Sequence, residues 1–465
     1  MKRAIWVLML FVLEFLSASA GAKTLTYCSE GNPESLSPIF NTNTTSMDVT
    51  GQMYESLVAF SKGTTQIRPS LAERWTVSPD GLTYKFFLRK GVKWHSNAWF
   101  KPTRDFNADD VLFSIQRQWQ KDHPFFKVTS DQHPYFNDMS MGQLLQSVEK
   151  LNSHTVLITL KQPVAPLLAN LAMSWANMYS SEYAKAMLAH GTPEYVDQHP
   201  IGTGPFQFVS YEKNSHVKFK AFDAYWAGRG KVESLVFLIE PNPKQRLAHL
   251  QSGECQVLAY PNPIDLQKIM TDPQLKLLSQ TGLNVGYLAY NTQKKPFDDV
   301  RVRRALNMAI NKRKILRAVY NHTAVPAINP FPPIQWSYNR EIEDDEYNPS
   351  RARTLLSEAG YPDGFQTELW AMSVTRPYIP DALAVARLIK ADLAEVGVNL
   401  EIKSPDWAVY PRGLRAGEHE MALYGWTSDN GDPDNFLNTR APHIPVRINI
   451  PSMPQNTASI MHKLL

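Results

Sequence analysis

The sequence predicts an α/β fold with more than one lobe, because predicted helices and strands alternate along a chain of 465 residues. One helix is predicted to begin at Asn348, with Pro349 in its first turn, and to end at Gly360. A second helix is predicted over residues 381–396, and alternating apolar residues at 398–402 predict a strand after it. A chain of this length exceeds what one hydrophobic core usually organises, so we expect at least two lobes.

Further strands are predicted in both halves of the chain, beside turn-forming residues. They cover residues 84–89, 154–160, 235–239, 285–290 and 421–424, and one more ends at Trp370. Residues 437–465 differ, because four prolines interrupt any periodic apolar pattern there. We expect no regular element in that stretch.

The N-terminus has the pattern of a secretory signal peptide. Lys2 and Arg3 precede an apolar stretch at residues 4–16, and small residues follow it. This stretch is shorter than the roughly 20 apolar residues of a membrane span. We expect cleavage after Ala22, with cleavage after Ala20 as the alternative, and a soluble mature protein outside the cytoplasm. Neither cleavage leaves a cysteine as the first residue, so no lipid anchor is expected.

The chain has two cysteines, Cys28 and Cys255. In an exported protein an even number of cysteines suggests a disulfide bond. Two buried free thiols are the alternative, since cysteine is a common core residue. The oxidising compartment favours the disulfide, which would place the two segments in the same lobe.

Composition and motifs argue against an enzyme and against a nucleic-acid partner. The net charge of +4 is small and spread along the chain. The 12 histidines show no metal-ligand spacing, and the nucleophile motifs of hydrolases are absent. Residues 200–206 (PIGTGPF) lack the third glycine of a dinucleotide-binding loop, so they predict a turn. We therefore expect no catalytic residue, no cofactor and no metal.

Three segments of the second half carry candidate ligand-binding residues. They are residues 371–378 (AMSVTRPY), 406–407 (DW) and 425–434 (GWTSDNGDPD). Each is expected just beyond the carboxyl end of a predicted strand, which is where open α/β sheets bind ligands.

These segments contain the groups that a peptide with two free termini requires. Arg376 offers a planar guanidinium that can hold a carboxylate with two hydrogen bonds, and Asp429 could bind an ammonium group. Trp407 and Trp426 could form apolar walls between them. Taken singly, an arginine or aspartate in a loop is more often a solvated surface group, and a tryptophan is more often a core residue.

Several longer motifs in order then show a resemblance to a known family. They include residues 24–31 (TLTYCSEG), 71–75 (LAERW), 88–95 (LRKGVKWH), 200–206 (PIGTGPF), 282–288 (GLNVGYL), 296–303 (PFDDVRVR) and 431–436 (GDPDNF). The sequence resembles dipeptide-binding members of the peptide and nickel solute-binding proteins of ABC transporters. The resemblance covers residues 23–436.

The resemblance implies a two-lobed periplasmic-binding-protein fold of the class II type. The first lobe is expected at residues 23–281, with an extra inserted subdomain at about 60–185, and the second lobe at 282–436. A hinge is expected near residues 281–285, so that the lobes close over the ligand. Residues 437–465 depart from the family pattern, which makes a truncated or frameshifted copy with a divergent tail the expectation.

The resemblance also implies roles for individual residues. Asp429 would bind the ammonium group of the peptide and Arg376 its carboxylate, and the gap between them would select peptide length. Tyr378, Trp407 and Trp426 would line the pocket, and Cys28 and Cys255 would form a disulfide. Asn41 lies where a threonine of the family would touch the ligand.

The implied function is that of a periplasmic component that delivers dipeptides to an inner-membrane ABC permease and its ATPase. A monomer is expected, with a chemoreceptor as a further partner. Relatives that bind haem, glutathione or antimicrobial peptides would keep the fold and change the pocket. The sequence also leaves open a non-functional remnant or an extracellular hydrolase, although a hydrolase would need a nucleophile-and-base arrangement that is not evident.

Overall fold

The computed structural model describes residues 23–279, 282–407, 409–437 and 460–462. The predicted signal peptide at residues 1–22 lies outside the described residues. So do Thr281 of the predicted hinge and residues 438–459 of the tail. We call residues 23–279 the first lobe and residues 282–437 the second lobe. The bounds expected for the inserted subdomain and for the tail stay predictions.

The first lobe contains three β-sheets. Its strands are β1 (Thr24–Ser29), β2 (Val58–Phe60), β3 (Ile67–Pro69), β4 (Ala72–Val77), β5 (Thr83–Leu88), β6 (Leu145–Asn152), β7 (Thr155–Leu160), β8 (Phe206–Glu212), β9 (His216–Ala221), β10 (Ser234–Ile239), β11 (Val257–Leu258) and β12 (Leu275–Lys276). One sheet has the order β4-β5-β7-β6, and β2 pairs only with β3. In β5 and β7 buried residues alternate with partly exposed ones, so one face of this sheet packs on a core.

Helices surround these sheets. They are α1 (Thr44–Thr50), α2 (Ala108–Trp119), α3 (Pro134–Asp138), α4 (Met141–Leu144), α5 (Leu167–Leu171), α6 (Ser181–Ala189), α7 (Tyr195–Gln198), α8 (Pro243–Ser252) and α9 (Leu266–Thr271). Short 3₁₀ turns lie at Pro38–Phe40, Ser174–Ala176 and Pro263–Asp265. Asn43 caps α1 by accepting the Ser46 N–H, so the chain turns sharply just before this helix.

The third sheet of the first lobe includes a strand from the C-terminal stretch. This strand, β17 (Ile460–His462), pairs antiparallel with both β11 and β12. The full order is β12-β17-β11-β1-β10-β9-β8. The expectation of no regular element in residues 437–465 is therefore wrong for these three residues, because neighbouring strands supply backbone partners that no local pattern reveals.

The second lobe is a four-stranded sheet covered by helices. Its strands are β13 (Asn284–Tyr290), β14 (Phe365–Trp370), β15 (Val398–Lys403) and β16 (Met421–Thr427), in the order β13-β16-β14-β15. Its helices are α10 (Val300–Ala309), α11 (Lys312–Tyr320), α12 (Pro349–Glu358), α13 (Ala382–Ala394), α14 (Tyr410–Arg415) and α15 (Asp434–Leu437). Buried side chains of β13, α10 and α13 share one hydrophobic core with β14 and β16.

The α/β prediction and its main elements are confirmed. The Asn348 side chain accepts the Arg351 N–H and begins α12, as the sequence predicts. Asp381 caps α13 in the same way by accepting the Ala384 N–H. The strands predicted near residues 84–89, 154–160 and 235–239 correspond to β5, β7 and β10.

Cys28 and Cys255 form a disulfide, which confirms the prediction made for them. Cys28 lies in β1, and Cys255 precedes β11, which pairs parallel with β1. The bond therefore joins two neighbouring parts of one sheet across a sequence separation of 227 residues.

The glycine-containing turn at residues 200–206 has a packing role. A Cβ atom at Gly202 would lie 2.0 Å from the Met53 carbonyl oxygen, and one at Gly204 would lie 2.7 Å from the Gln52 carbonyl oxygen. The turn thus needs glycine so that two backbone segments can approach closely.

Candidate functional site

A partly enclosed cavity lies between the two lobes. The first lobe contributes Thr42, Asn43, Thr44, Pro134, Tyr135 and Asp138 to its lining. The second lobe contributes Arg376, Pro377, Tyr378, Trp407, Pro411, Arg415, Tyr424, Gly425, Trp426, Thr427 and Asp429. About 120 Å³ of the cavity is open to the centres of water molecules. The cavity can therefore hold a small molecule that contacts both lobes.

The two lobes are in direct contact beside this cavity. The Asn430 side-chain amide donates to the Asn170 side-chain oxygen at 2.7 Å, and both residues are buried. Gly431 packs so closely on Thr65 that a Cβ atom there would lie 2.3 Å from the threonine methyl carbon. These contacts hold residues 428–431 of the second lobe against the first lobe.

Arg376 lies in a tight turn of the loop that follows β14. Its N–H donates to the Ile379 carbonyl at 3.2 Å, and the Ile379 N–H donates back at 3.1 Å. The side chain is only 7% exposed, and Nε has no hydrogen-bond partner among the described residues. No ion pair joins this guanidinium to a carboxylate in the described part of the chain. A buried cation in this state favours the binding of an anion.

Trp407 forms a wall beneath Arg376. The guanidinium carbon lies 4.0 Å from the centre of the tryptophan ring, which is a cation–π contact. The Trp407 ring stacks in turn on Tyr410, with ring centres 6.0 Å apart. The Tyr410 hydroxyl lies 2.9 Å from the Trp370 carbonyl oxygen and 2.7 Å from the Leu423 carbonyl oxygen and shares its one proton between them, so this stack is fixed to the sheet.

Tyr378 rests on two glycines of neighbouring strands. Gly286 of β13 and Gly425 of β16 are direct partners in the sheet. A Cβ atom at Gly425 would lie 2.3 Å from the Tyr378 ring, and one at Gly286 would lie 2.5 Å from the Tyr378 carbonyl oxygen. That carbonyl also accepts the Tyr320 hydroxyl at 2.9 Å. Because these two glycines have no side chain, the sheet leaves space there for the turn that contains Arg376.

Asp429 lies in the cavity wall with no cation among the described residues paired to it. Its N–H donates to the Asn435 side-chain oxygen at 3.0 Å, and the Asn435 amide faces its carboxylate at 3.5 Å. Burial raises the pKa of Asp429 to about 7, while the neighbouring Tyr135 and Asn435 side chains oppose the shift. A carboxylate in this environment is stabilised by an incoming cation.

Trp426 joins the two lobes. Its indole N–H donates to Asn435 at 2.8 Å, and its ring packs against cores on both sides of the cavity. The expectation that residues 425–427 follow the strand is wrong, because β16 continues to Thr427 by pairing with Asn284 of β13. Trp426 is therefore held by a strand.

Asn41 lies next to the cavity and is absent from its lining. The side chain is fully buried, and neither amide atom has a hydrogen-bond partner among the described residues. Its neighbours Thr42, Asn43 and Thr44 do line the cavity. A direct contact between Asn41 and a ligand stays a prediction.

The sequence did not predict most of the first-lobe lining. Tyr135 and Asp138 lie on α3, and nothing in the pattern of that short helix marks a ligand site. Asn435 of the second lobe belongs to the motif at residues 431–436. The motif was identified from the sequence, which predicted no role for Asn435. Arg415 and Tyr424 had no sequence signal.

The described residues offer no evident place for a metal ion, since no group of three or more His, Cys, Asp or Glu side chains converges. Within the same residues, no helix combines the length and apolar character that crossing a membrane requires. The cavity lining thus combines two cations, Arg376 and Arg415, and two carboxylates, Asp138 and Asp429, with aromatic side chains. A lining of this composition is chemically suited to a small molecule that carries groups of both charges.

Comparisons with known proteins agree with this geometry. A sequence model of the bacterial extracellular solute-binding proteins, family 5 (its middle part), matches residues 66–442. The dipeptide-binding protein of Escherichia coli strain K12 is 49% identical over 425 residues, which cover 91% of this chain and 79% of that protein. Heme-binding protein A of Haemophilus influenzae is 47% identical over 420 residues, with 90% and 77% covered.

A solved structure is similar in fold over most of the chain. The dipeptide-binding protein from Pseudoalteromonas sp. SM9913, in complex with Met-Leu, is 36% identical and has a TM-score of 0.87. The similarity covers 90% of this chain and 82% of that one.

Proposed function

The chain belongs to family 5 of the bacterial extracellular solute-binding proteins, and from this premise we propose that it captures dipeptides for an ABC importer. In this proposal Arg376 binds the carboxylate of the peptide and Asp429 its ammonium group. Trp407, Trp426 and Tyr378 enclose the backbone between them. The two lobes close because the bound peptide contacts both of them. A ligand shifts the equilibrium between open and closed forms only through contacts that differ between the two forms.

One observation carries the proposal. Arg376 and Asp429 line the same cavity, and neither has a partner of opposite charge among the described residues. Burying an unpaired charge is costly, so a guest that neutralises both groups stabilises the closed arrangement. The presence of both a cation and a carboxylate in the lining favours dipeptides over haem, although a haem-binding relative has a similar sequence identity.

The test uses calorimetry with ligands whose ends are blocked one at a time. Ala-Ala carries both charges, N-acetyl-Ala-Ala lacks the ammonium group, and Ala-Ala amide lacks the carboxylate. We expect Arg376→Gln and Asp429→Asn each to weaken Ala-Ala binding by more than about 100-fold, since breaking a buried charge pair costs about 3 kcal/mol or more.

The pairing of variant and ligand makes the test specific. Arg376→Gln should have little further effect on Ala-Ala amide, and Asp429→Asn little further effect on N-acetyl-Ala-Ala. Matched controls are Arg412→Gln and Asp131→Asn, because both side chains are exposed and outside the cavity lining. Unchanged Ala-Ala affinity in either site variant would rule out the clamp. Tight haem binding without dipeptide binding would favour the function of the haem-binding relatives.

Family membership also suggests the location of the protein and its partners. We infer export to the periplasm by cleavage of the signal peptide at residues 1–22. The partners would be an inner-membrane permease with its ATPase and, through a surface outside the cavity, a chemoreceptor. We propose binding without catalysis, in keeping with membership of a solute-binding family. Incubation with Ala-Ala should therefore release no alanine.

A further inference from the structure

Asn435 contacts two of the ligand-binding residues and is absent from the cavity lining. It lies on α15, the short helix that follows the loop of Asp429, and its side chain is 7% exposed. The side-chain oxygen accepts the indole N–H of Trp426 at 2.8 Å and the backbone N–H of Asp429 at 3.0 Å. One side-chain atom therefore joins β16 to the loop that carries the carboxylate.

These two donors fix the orientation of the Asn435 amide. An amide oxygen can accept two hydrogen bonds, whereas the NH2 group can only donate. A reversed amide would direct N–H groups at two other N–H groups, so the NH2 group must point the other way. There it faces Oδ2 of Asp429 at 3.5 Å. A donor in this position favours the charged form of a carboxyl group.

The loop between Asp429 and Asn435 folds back on itself. The Asp432 N–H donates to the Asn430 side-chain oxygen at 3.0 Å, and the Asn435 N–H donates to the Asp432 carbonyl at 3.1 Å. These bonds return Asn435 to the side of Asp429. They lie within the second lobe, as do the contacts of the Asn435 side chain, so none of them depends on the position of the first lobe.

We propose that Asn435 is a positioning residue for the ammonium end of the ligand, because it fixes the Asp429 carboxylate beside the Trp426 ring and stabilises its charged form. The inference rests on the proposed function, in which Asp429 binds the ammonium group. A carboxylate that is already held in place does not have to be ordered when the ligand arrives, so less binding free energy is lost. Asn435 thus acts through its two neighbours and does not touch the ligand.

The test replaces Asn435 with leucine, which has a similar volume and makes no side-chain hydrogen bond. We expect Asn435→Leu to weaken Ala-Ala binding by about tenfold, since hydrogen bonds to a charged group are among the stronger ones. Binding of N-acetyl-Ala-Ala, which has no ammonium group, should change much less. Calorimetry of the parent and the variant with the two ligands measures both losses.

The pH profile provides a second readout. Without the Asn435 amide, the charged form of Asp429 loses a donor, so its pKa should rise. The affinity of Asn435→Leu for Ala-Ala should therefore begin to fall at a higher pH than that of the parent protein. A residue that only supports the fold would leave this pH unchanged.

Asn291→Leu is the matched control. Asn291 is 2% exposed, lies outside the cavity lining, and donates from its side chain to the carbonyls of Gly417 and His419 at 3.0 and 3.1 Å. It shares the residue type, the burial and the lobe of Asn435. The substitution should lower the free energy of unfolding in urea, and it should leave the ratio of the two affinities and the pH profile unchanged.

Asn435→Ala is the second variant, since its smaller side chain avoids overpacking, and circular dichroism checks that each variant is folded. An equal loss for both ligands, no loss, or an unshifted pH profile would overturn the inference and leave the clamp in place. Loss of folding in both variants would also overturn it, because Asn435 would then support the lobe as a whole. If the parent protein binds no dipeptide at all, the proposed function and this inference both fail.

Discussion

The protonation state of Asp429 should control ligand binding near neutral pH. Burial raises the pKa of this carboxyl group to about 7. A bound ammonium group favours the charged carboxylate, so a proton on Asp429 competes with the ligand. We expect the affinity for Ala-Ala to fall about tenfold for each pH unit below 7. Above about pH 8 the amine of the peptide loses its own proton, so affinity should fall again.

Calorimetry between pH 5 and 9 checks this profile. Asp429→Asn should remove the acidic limb and keep the alkaline one. This control also separates Asp429 from Asp48 of α1, whose pKa is raised to about 7 by burial and then by Glu30. An acidic limb that persists in Asp429→Asn would assign the titration to another group.

At the scale of residues, the sequence predicts the second-lobe half of the site. Arg376, Tyr378, Trp407, Trp426 and Asp429 all line the cavity. They were found because they lie near the ends of predicted strands and match motifs. The first-lobe lining was missed, because residues such as Tyr135 approach the second-lobe residues only through the packing of the two lobes. Asn41 itself lies beside the cavity lining, and its side chain is fully buried. A motif match does not reveal this burial.

At the scale of elements, the paired glycines of β13 and β16 should control the position of Arg376. Gly286→Ala would place a Cβ atom 2.5 Å from the Tyr378 carbonyl oxygen and 3.0 Å from the Ile379 side chain. Because overpacking costs about 1–3 kcal/mol, we expect the free energy of unfolding of the second lobe to fall by this amount. The turn at residues 376–379 must also shift, so Ala-Ala binding should weaken.

Urea unfolding and calorimetry measure the two effects. Gly230→Ala is the matched control, because no atom lies within 4 Å of a Cβ built at that glycine. Ala-Ala amide should lose less affinity than Ala-Ala, since the shift displaces the group that binds the carboxylate. Equal losses for both ligands would mean that the glycines act on the lobe as a whole.

The elements themselves were predicted where local signals are strong. Helix ends were predicted from residues that satisfy free backbone groups or adopt the turn that ends a helix. Asn348 and Asp381 cap the starts of α12 and α13, and a glycine follows the end of α13. Prediction failed at the end of β16 and at β17. In both places pairing with a strand distant in sequence extends or creates the element, and pairing of this kind leaves no local pattern.

At the scale of the whole molecule, the relative placement of the lobes could not be predicted from the sequence. The length and the alternation of elements predict separate lobes, but no periodic pattern encodes a contact such as that between Asn170 and Asn430. This contact joins α5 of the first lobe to the loop that carries Asp429. Its polar atoms are solvated when the lobes separate, and they are satisfied by each other when the lobes meet.

Asn170→Ala should therefore weaken binding by opposing closure. The substitution leaves the buried Asn430 amide without its partner only in the closed form, at a cost of about 1–3 kcal/mol. Because Asn170 does not line the cavity, we expect Ala-Ala, N-acetyl-Ala-Ala and Ala-Ala amide to lose affinity by a similar factor of about ten. Calorimetry with the three ligands measures this, with Asn137→Ala, an exposed asparagine of α3, as the control. A loss confined to one ligand would show that Asn170 acts on one end of the peptide, whereas a uniform loss would show that closure itself contributes to affinity.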